Sequence, residues 1–310
     1  MRMAVMAAGA VGGYFGARMA AAGHKVAFIA RGAHRDAIRR DGLRIESALG
    51  NLHLKDVNVT DDPAQVGPVD VVLFAVKLWD TESAGIRARP LVGPRTRVIT
   101  LQNGVDSVER LAPILGEQPT IGGATYVVTN IAQPGFIRHT GTIARVRCGR
   151  LDGKPDALLS DYVNEMKAAG LDITLADHML VDLWKKFVLL SGTSGITAGT
   201  RVPLGVIRDD DDMRALLFRL MHETIAVGRA AGVTLGDDFK AELERSVAGF
   251  APAMKASMAN DLDAGNRLEL DWLAGKVIAL GRKLGVTTPA QEAVYAILKP
   301  WRMGRTRPSQ

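Results

Sequence analysis

One cysteine, Cys148, stands in 310 residues. A lone thiol cannot close an intrachain disulfide, and beside six scattered histidines it composes no structural zinc cluster. A reducing cytoplasm is the expected compartment. Aromatic residues make up only 5%, and none interleave with basic residues as a platform for nucleic-acid bases. Apolar runs such as residues 71–76 and 187–190 fall far short of the ~20 residues that span a bilayer, so no membrane segment is expected. A secretory leader is not read in the Ala- and Met-rich opening either, because Arg18 interrupts it and Gly9, Gly12, Gly13 and Gly16 would weaken its helix. There is also no large excess of one charge. The 39 basic and 33 acidic residues leave +6, which suits anionic small molecules as readily as nucleic acid, and nucleic acid is not the expected partner.

What is present is an ordinary globular composition, 47% apolar and 23% charged, in a length that predicts about two domains. Over residues 1–174, short β-branched runs alternate with Ala-rich segments of helical period, the rhythm of βαβ units around a parallel sheet. Strands are expected at 3–6, 26–29, 69–74 and 98–101, all too apolar to have a wet face, so helices should cover both sides. Residues 120–131, 136–139 and 143–148 read as further strands, with turns at Gln133-Pro134-Gly135 and Thr140-Gly141, and are assigned to an antiparallel edge. After Thr174 the pattern turns helical to about Trp301, with breaks expected at 191–195 and 232–236. A long helix over 266–284 carries the stripe Leu270, Leu273, Val277, Leu280 and Leu284, which suits core packing or a homodimer seam. The arginine-rich tail 302–310 reads as a solvated end.

The first strand runs into Ala7-Ala8-Gly9-Ala10-Val11-Gly12-Gly13, followed by helix-forming residues, and this is a dinucleotide fingerprint in its strand–turn–helix context. A helix N-terminus offers unpaired N–H groups and partial positive charge, and glycine admits a pyrophosphate without an intervening Cβ. Gly9 is the expected contact glycine and Gly12 the packing one. Ala7 replaces the first glycine of the pattern, which is tolerable only if its φ stays negative. After the second strand there is no acid for a ribose 2′-hydroxyl. Instead Arg31 stands 22 residues after Gly9, suited to hold a 2′-phosphate bidentately, and NADP(H) is the expected cofactor. The competing reading is a surface arginine opening a basic helix with Arg35, Arg39 and Arg40.

Lys77 and Asn103 end two of the apolar runs, where open α/β sheets collect ligands; taken singly, each could merely cap a following helix. Lys186 lies among Met179, Leu183 and Leu190 at helical spacing, which would desolvate its ammonium and lower its pKa toward a value useful for proton donation. An ion pair with Asp182, four residues earlier, is the alternative. Glu269 falls beside the leucine stripe, as a surface acid would.

Taken together, these residues resemble the ketopantoate reductase (2-dehydropantoate 2-reductase) family over essentially the whole chain. The matching pieces are Gly9-Ala10-Val11-Gly12-Gly13-Tyr14-Phe15-Gly16, Arg31-Gly32, Val76-Lys77, Leu101-Gln102-Asn103-Gly104-Val105, Trp184-Lys185-Lys186, Ser257-Met258 with Asp261, and Leu268-Glu269-Leu270-Asp271. The resemblance implies an α/β fold class, an N-terminal Rossmann-like doubly wound parallel sheet (1–175) with a C-terminal all-helical domain (176–310). It further implies NADPH-dependent reduction of a 2-oxo acid to a 2-hydroxy acid in the cytoplasm, either ketopantoate to pantoate or, in a close relative, a more apolar substrate. Lys186 then matches the catalytic acid and Glu269 a residue orienting it or touching the cofactor. Ala7, Ala8, Gly9, Ala10, Val11, Gly12, Arg31, Lys77 and Asn103 match the cofactor site, and Asn103, Ser194 and Ser257, with Lys186, the substrate site. Two departures stand out: many members place asparagines one and two turns after the lysine, where this chain has Leu190 and Ser194. A leucine cannot hydrogen-bond a substrate hydroxyl, so a more apolar 2-oxo acid than ketopantoate is expected. Another dehydrogenase on the same scaffold and an NADP(H)-binding sensor without turnover are the rival readings.

Overall fold

The computed structural model describes residues 1–305. The chain divides into two compact units, Met1–Leu183 and Trp184–Gln310.

The first unit runs β1 (Arg2–Met6), α1 (Ala10–Ala21), β2 (Lys25–Ile29), α2 (Gly32–Asp41), β3 (Leu43–Ser47), β4 (Leu52–Leu54), β5 (Asn58–Thr60), β6 (Val71–Phe74), α3 (Thr81–Ala88), β7 (Arg97–Thr100), α4 (Ser107–Leu115), β8 (Thr120–Gln133), β9 (Phe136–Gly149), α5 (Ala157–Ala168) and β10 (Asp172–Leu175). The parallel strands lie in the order β5-β2-β1-β6-β7-β8, the doubly wound arrangement, with the reversal of strand order between β1 and β6. Successive residues of one strand serve opposite faces: Met3 and Val5 of β1 pack with Phe15 and Met19 of α1, whereas Ala4 and Met6 join Ala84 and Ala88 of α3 and Leu111 of α4. Both faces are dry, as the unbroken apolar strands require.

β8 and β9 are antiparallel to each other, as expected, but they are not an edge. β8 joins β7, and β9 carries β3 along 136–139 and β10 along 145–148, so the edges of the path are β4 and β5. The segments read as 136–139 and 143–148 form one strand. Cys148 is buried within it, and burial pushes its thiol up to about 12, leaving no thiolate at neutral pH.

The second unit contains most of α6 (Met179–Thr200), followed by α7 (Leu204–Asp209), α8 (Asp211–Ala230), α9 (Phe239–Ala248), α10 (Ser257–Ala264), α11 (Ala274–Leu284) and α12 (Pro289–Leu298). The expected break at 191–195 is absent because α6 passes straight through it. A Cβ on Gly192 would lie 2.6 Å from Met221 of α8, and one on Gly195 would lie 3.1 Å from Val294 of α12, so these glycines admit close helix packing. The hydroxyls of Ser191, Thr193 and Thr197 bond the carbonyls of Val188, Leu189 and Thr193, which satisfies them within the helix. The break near 232–236 is present between α8 and α9.

The helix expected over 266–284 begins only at Ala274. Leu268, Glu269 and Leu270 are all buried, and the Leu268 N–H donates to the Arg302 carbonyl at 3.0 Å. Leu270, Leu273 and Val277 of the expected stripe are buried within the single chain. The tail is not wholly solvated: Arg302 reaches Asp271 at 3.5 Å and the Arg305 N–H donates to the Gly265 carbonyl at 3.0 Å. Its residues 306–310 lie outside the described residues. No helix among the described residues is long and apolar enough to cross a membrane.

Candidate active site

After β1 the chain turns through Ala7 and Ala8 to Gly9, which caps α1 in an extended conformation (φ −75°, ψ −160°) without a side-chain bond. A Cβ on Gly9 would meet no heavy atom within 4 Å. One on Gly12 would collide with the Ala7 carbonyl oxygen at 2.5 Å and Val5 Cγ1 at 2.7 Å, and one on Gly16 with Val5 Cγ2 at 2.5 Å. The two fingerprint glycines therefore differ. Gly12 lets α1 lie against β1, while Gly9 leaves open ground over the uncapped N–H groups of the first helical turn. Ala7 carries no strain from its methyl group, since Arg201 is the only non-glycine among the described residues with a positive φ.

Arg31 follows β2 as the exposed N-cap residue of α2. Its neighbour Arg35 is held by Asp36 at 2.8 Å and by Asp61, whereas the Arg31 guanidinium makes no hydrogen bond or ion pair among the described residues. It is available to an anion. Lys77 is exposed after β6, its ammonium 5.7 Å above the Trp79 ring. Asn103 is half-buried after β7. Neither is the N-cap of the following α-helix, which is Asp80 for α3 and Asp106 for α4; Lys77 instead opens the short 3-10 turn Leu78–Asp80, without a side-chain capping bond. Sequence reasoning gave Gln102 no role, yet its Nε2 donates to the Val76 carbonyl at 3.0 Å and to Thr81 Oγ1 at 2.8 Å, tying these two strand ends together. Its only signal was adjacency to Asn103. Because β7, β6, β1 and β2 are neighbours, Asn103, Lys77, the Gly9 turn and Arg31 all follow the carboxyl ends of adjacent parallel strands.

In the second unit, Lys186 of α6 is half-buried. Burial lowers its pKa to about 8, against the opposing pull of the Glu269 carboxylate. Glu269 is not the surface acid expected, being 6% exposed. The irregular segment before α11 turns it inward, where a helix stripe had put it on the flank. Lys185 points elsewhere, to Glu242 at 2.6 Å. Asp182, the alternative partner for Lys186, accepts from Arg147 Nε at 2.9 Å. Ser257 is exposed at the first position of α10. Leu190 is half-buried on α6, and one turn further Ser194 is fully buried, its hydroxyl without a hydrogen-bond partner among the described residues.

Two family models match the chain: "Ketopantoate reductase PanE/ApbA" over residues 3–153 and its C-terminal counterpart over residues 178–302. The 2-dehydropantoate 2-reductase of Mesorhizobium japonicum is 31% identical over 96% of this chain and 97% of its own. The crystal structure of a PanE/ApbA family ketopantoate reductase from Ralstonia eutropha superposes with a TM-score of 0.88 at 34% identity, covering 97% of this chain and 98% of that one. A D-mandelate dehydrogenase solved with NADH and anilino(oxo)acetate shares the fold, with a TM-score of 0.89 at 19% identity over 97% of this chain and 98% of its own. Fold and matches place the protein among the oxidoreductases that act on CH–OH groups. The chain belongs to the ketopantoate reductase family.

Proposed function

We propose that the protein reduces a 2-oxo acid to the 2-hydroxy acid with NADPH as the electron donor. The observation that carries the chemistry is Lys186, a desolvated amine beside a buried carboxylate on a chain whose other unit follows four neighbouring parallel strands with the candidate residues Asn103, Lys77, Gly9 and Arg31.

The residues present fit a phosphorylated dinucleotide, since the ground outside Gly9 is open and Arg31 has no partner among the described residues. Ala7 to Gly12 hold the pyrophosphate by backbone N–H groups and helix charge, Arg31 takes the 2′-phosphate, and Lys77 and Asn103 serve the rest of the coenzyme. The bound coenzyme supplies a hydride to C2 of the oxo acid. Lys186 donates its ammonium proton to the carbonyl oxygen as negative charge develops there. Glu269 favours the charged form of that amine and orients it. Asn103, Ser257 and Ser194 bind the substrate. Leu190, in place of an amide, turns discrimination toward substrates more apolar than ketopantoate.

The test follows nicotinamide absorbance with NADPH, then NADH, across ketopantoate and a panel of aliphatic and aryl 2-oxo acids. NADPH oxidation with an apolar 2-oxo acid, at a kcat/KM above that for ketopantoate, is expected. Higher efficiency with ketopantoate would refute the role of Leu190, and no oxidation with any 2-oxo acid would refute the reading itself.

A further inference from the structure

The parallel pairing of β2 with β5 sets Ile29 against Thr60, and the Ala30 N–H continues the ladder to the Thr60 carbonyl at 3.0 Å. The two strands therefore leave the sheet together, one into Arg31 and the other into Asp61. Neighbouring strands lie about 4.8 Å apart, so an acid stands beside the arginine proposed for the 2′-phosphate although none follows β2 itself. The turn that carries it is tightly built. The Thr60 hydroxyl accepts the Asp62 N–H at 3.1 Å and donates to Gln65 at 2.9 Å. Arg87 of α3 donates to the Asp61 carbonyl oxygen, and Arg35 of α2 donates to the Asp61 carboxylate. The Asp61 side chain is nonetheless 48% exposed, so its charge faces water rather than the core.

The same contacts limit what Arg35 can offer a ligand. It lies one turn beyond Arg31 on α2 and would otherwise double the positive charge there. Its Nε and Nη2 donate to Asp36 Oδ1 at 2.9 and 2.8 Å and its Nη1 to Asp61, so one guanidinium meets two carboxylates and the three groups sum to −1. Arg39 and Arg87 turn to the Val59 and Asp61 carbonyls. An anion on Arg31 thus meets a neighbouring carboxylate and no second guanidinium from Arg35.

We propose that Asp61 is a specificity-determining residue that tempers the preference for the phosphorylated coenzyme: its carboxylate opposes the 2′-phosphate that Arg31 attracts and leaves the uncharged 2′-hydroxyl of NADH unaffected. This rests on the reading that Arg31 receives the 2′-phosphate of a dinucleotide. Such a phosphate carries roughly two negative charges at neutral pH. Across water, a group of that charge roughly 8 Å from a carboxylate is repelled enough to weaken binding about three- to fivefold, and removing the carboxylate returns that factor. The protein therefore separates NADPH from NADH less sharply than Arg31 by itself would.

Calorimetric titration of NADPH and of NADH at low ionic strength into the wild type, D61N, D61E and D41N tests it. In D61N the affinity for NADPH should rise about three- to fivefold while that for NADH stays within about twofold of wild type. D61E keeps the charge and should hold the ratio of the two affinities at the wild-type value. D41N makes the same change of charge at the far end of α2, about 15 Å along the helix from Arg31, and should also leave the ratio unchanged. A purely structural role for Asp61 would lower the melting temperature of the free protein and weaken both coenzymes alike. A ratio unchanged in D61N, or raised equally in D61E or D41N, would overturn the proposal while leaving the dinucleotide reading intact. Failure of the wild type to bind either coenzyme would overturn both.

Discussion

The alkaline limb of the pH–rate profile for oxo-acid reduction should belong to Lys186. Its pKa is about 8, lowered from 10.5 chiefly by burial and partly restored by Glu269. With that value about 90% of the amine carries its proton at pH 7 and about 10% at pH 9. Only the ammonium can protonate the developing alkoxide. kcat/KM should thus be flat below about pH 7 and fall about tenfold per unit well above pH 8. The sign for the neighbour follows from the same balance: Glu269 raises the lysine's pKa, so Glu269→Gln removes the restoring pull and moves the limb to lower pH. Lys186→Arg should abolish the limb in the accessible range, because a guanidinium keeps its proton beyond about pH 12. Lys186→Ala should lower turnover by roughly 10² to 10⁴ and leave coenzyme binding largely intact. The assay is initial-rate nicotinamide absorbance from about pH 6 to pH 10 with saturating coenzyme. A limb that persists unchanged in Lys186→Ala, or that moves to higher pH in Glu269→Gln, would refute the reasoning.

Arg31→Ala should weaken NADPH by about 10- to 100-fold and NADH by less than about twofold, since only the 2′-phosphate loses charge-assisted bonds; equal losses by calorimetry would remove the phosphate from that guanidinium. Gly9→Ala and Gly12→Ala should separate function from stability. The first adds a methyl into open space and should cost coenzyme affinity at an unchanged melting temperature. The second drives a Cβ to 2.5 Å from the Ala7 oxygen and should lower stability by about 1–3 kcal/mol, read by denaturant titration. Arg97→Met should be the more destructive change: Arg97 is 4% exposed and holds Asp156 through bonds of 2.7 and 3.0 Å. Removing it strands a buried carboxylate at a cost of about 3–5 kcal/mol, and a loss under about 1 kcal/mol would show that the pair is not buried in solution.

The strand–turn–helix to which the coenzyme is proposed to bind was readable because its determinants are local. β1, its turn and α1 occupy consecutive residues, and the unbroken apolar run of the strand, the glycines of the turn and the spacing to Arg31 all survive without knowledge of distant contacts. Lys186 was readable for the same reason, since its apolar surroundings recur along one helix. Glu269 was not. Its burial depends on residues 267–273 abandoning the helical path, and the group that holds them off it is the Arg302 carbonyl, more than thirty residues away. The middle of α6 misled in the opposite sense. Glycine, serine and threonine weaken a helix in water, where backbone entropy and competing hydroxyl bonds dominate. Against Met221 and Val294, however, the absence of a Cβ is what permits contact. The misplacement of β8 and β9 has the same origin, because strand neighbours are set by pairing across the sheet and β3 and β10 both find β9 from distant positions in the chain.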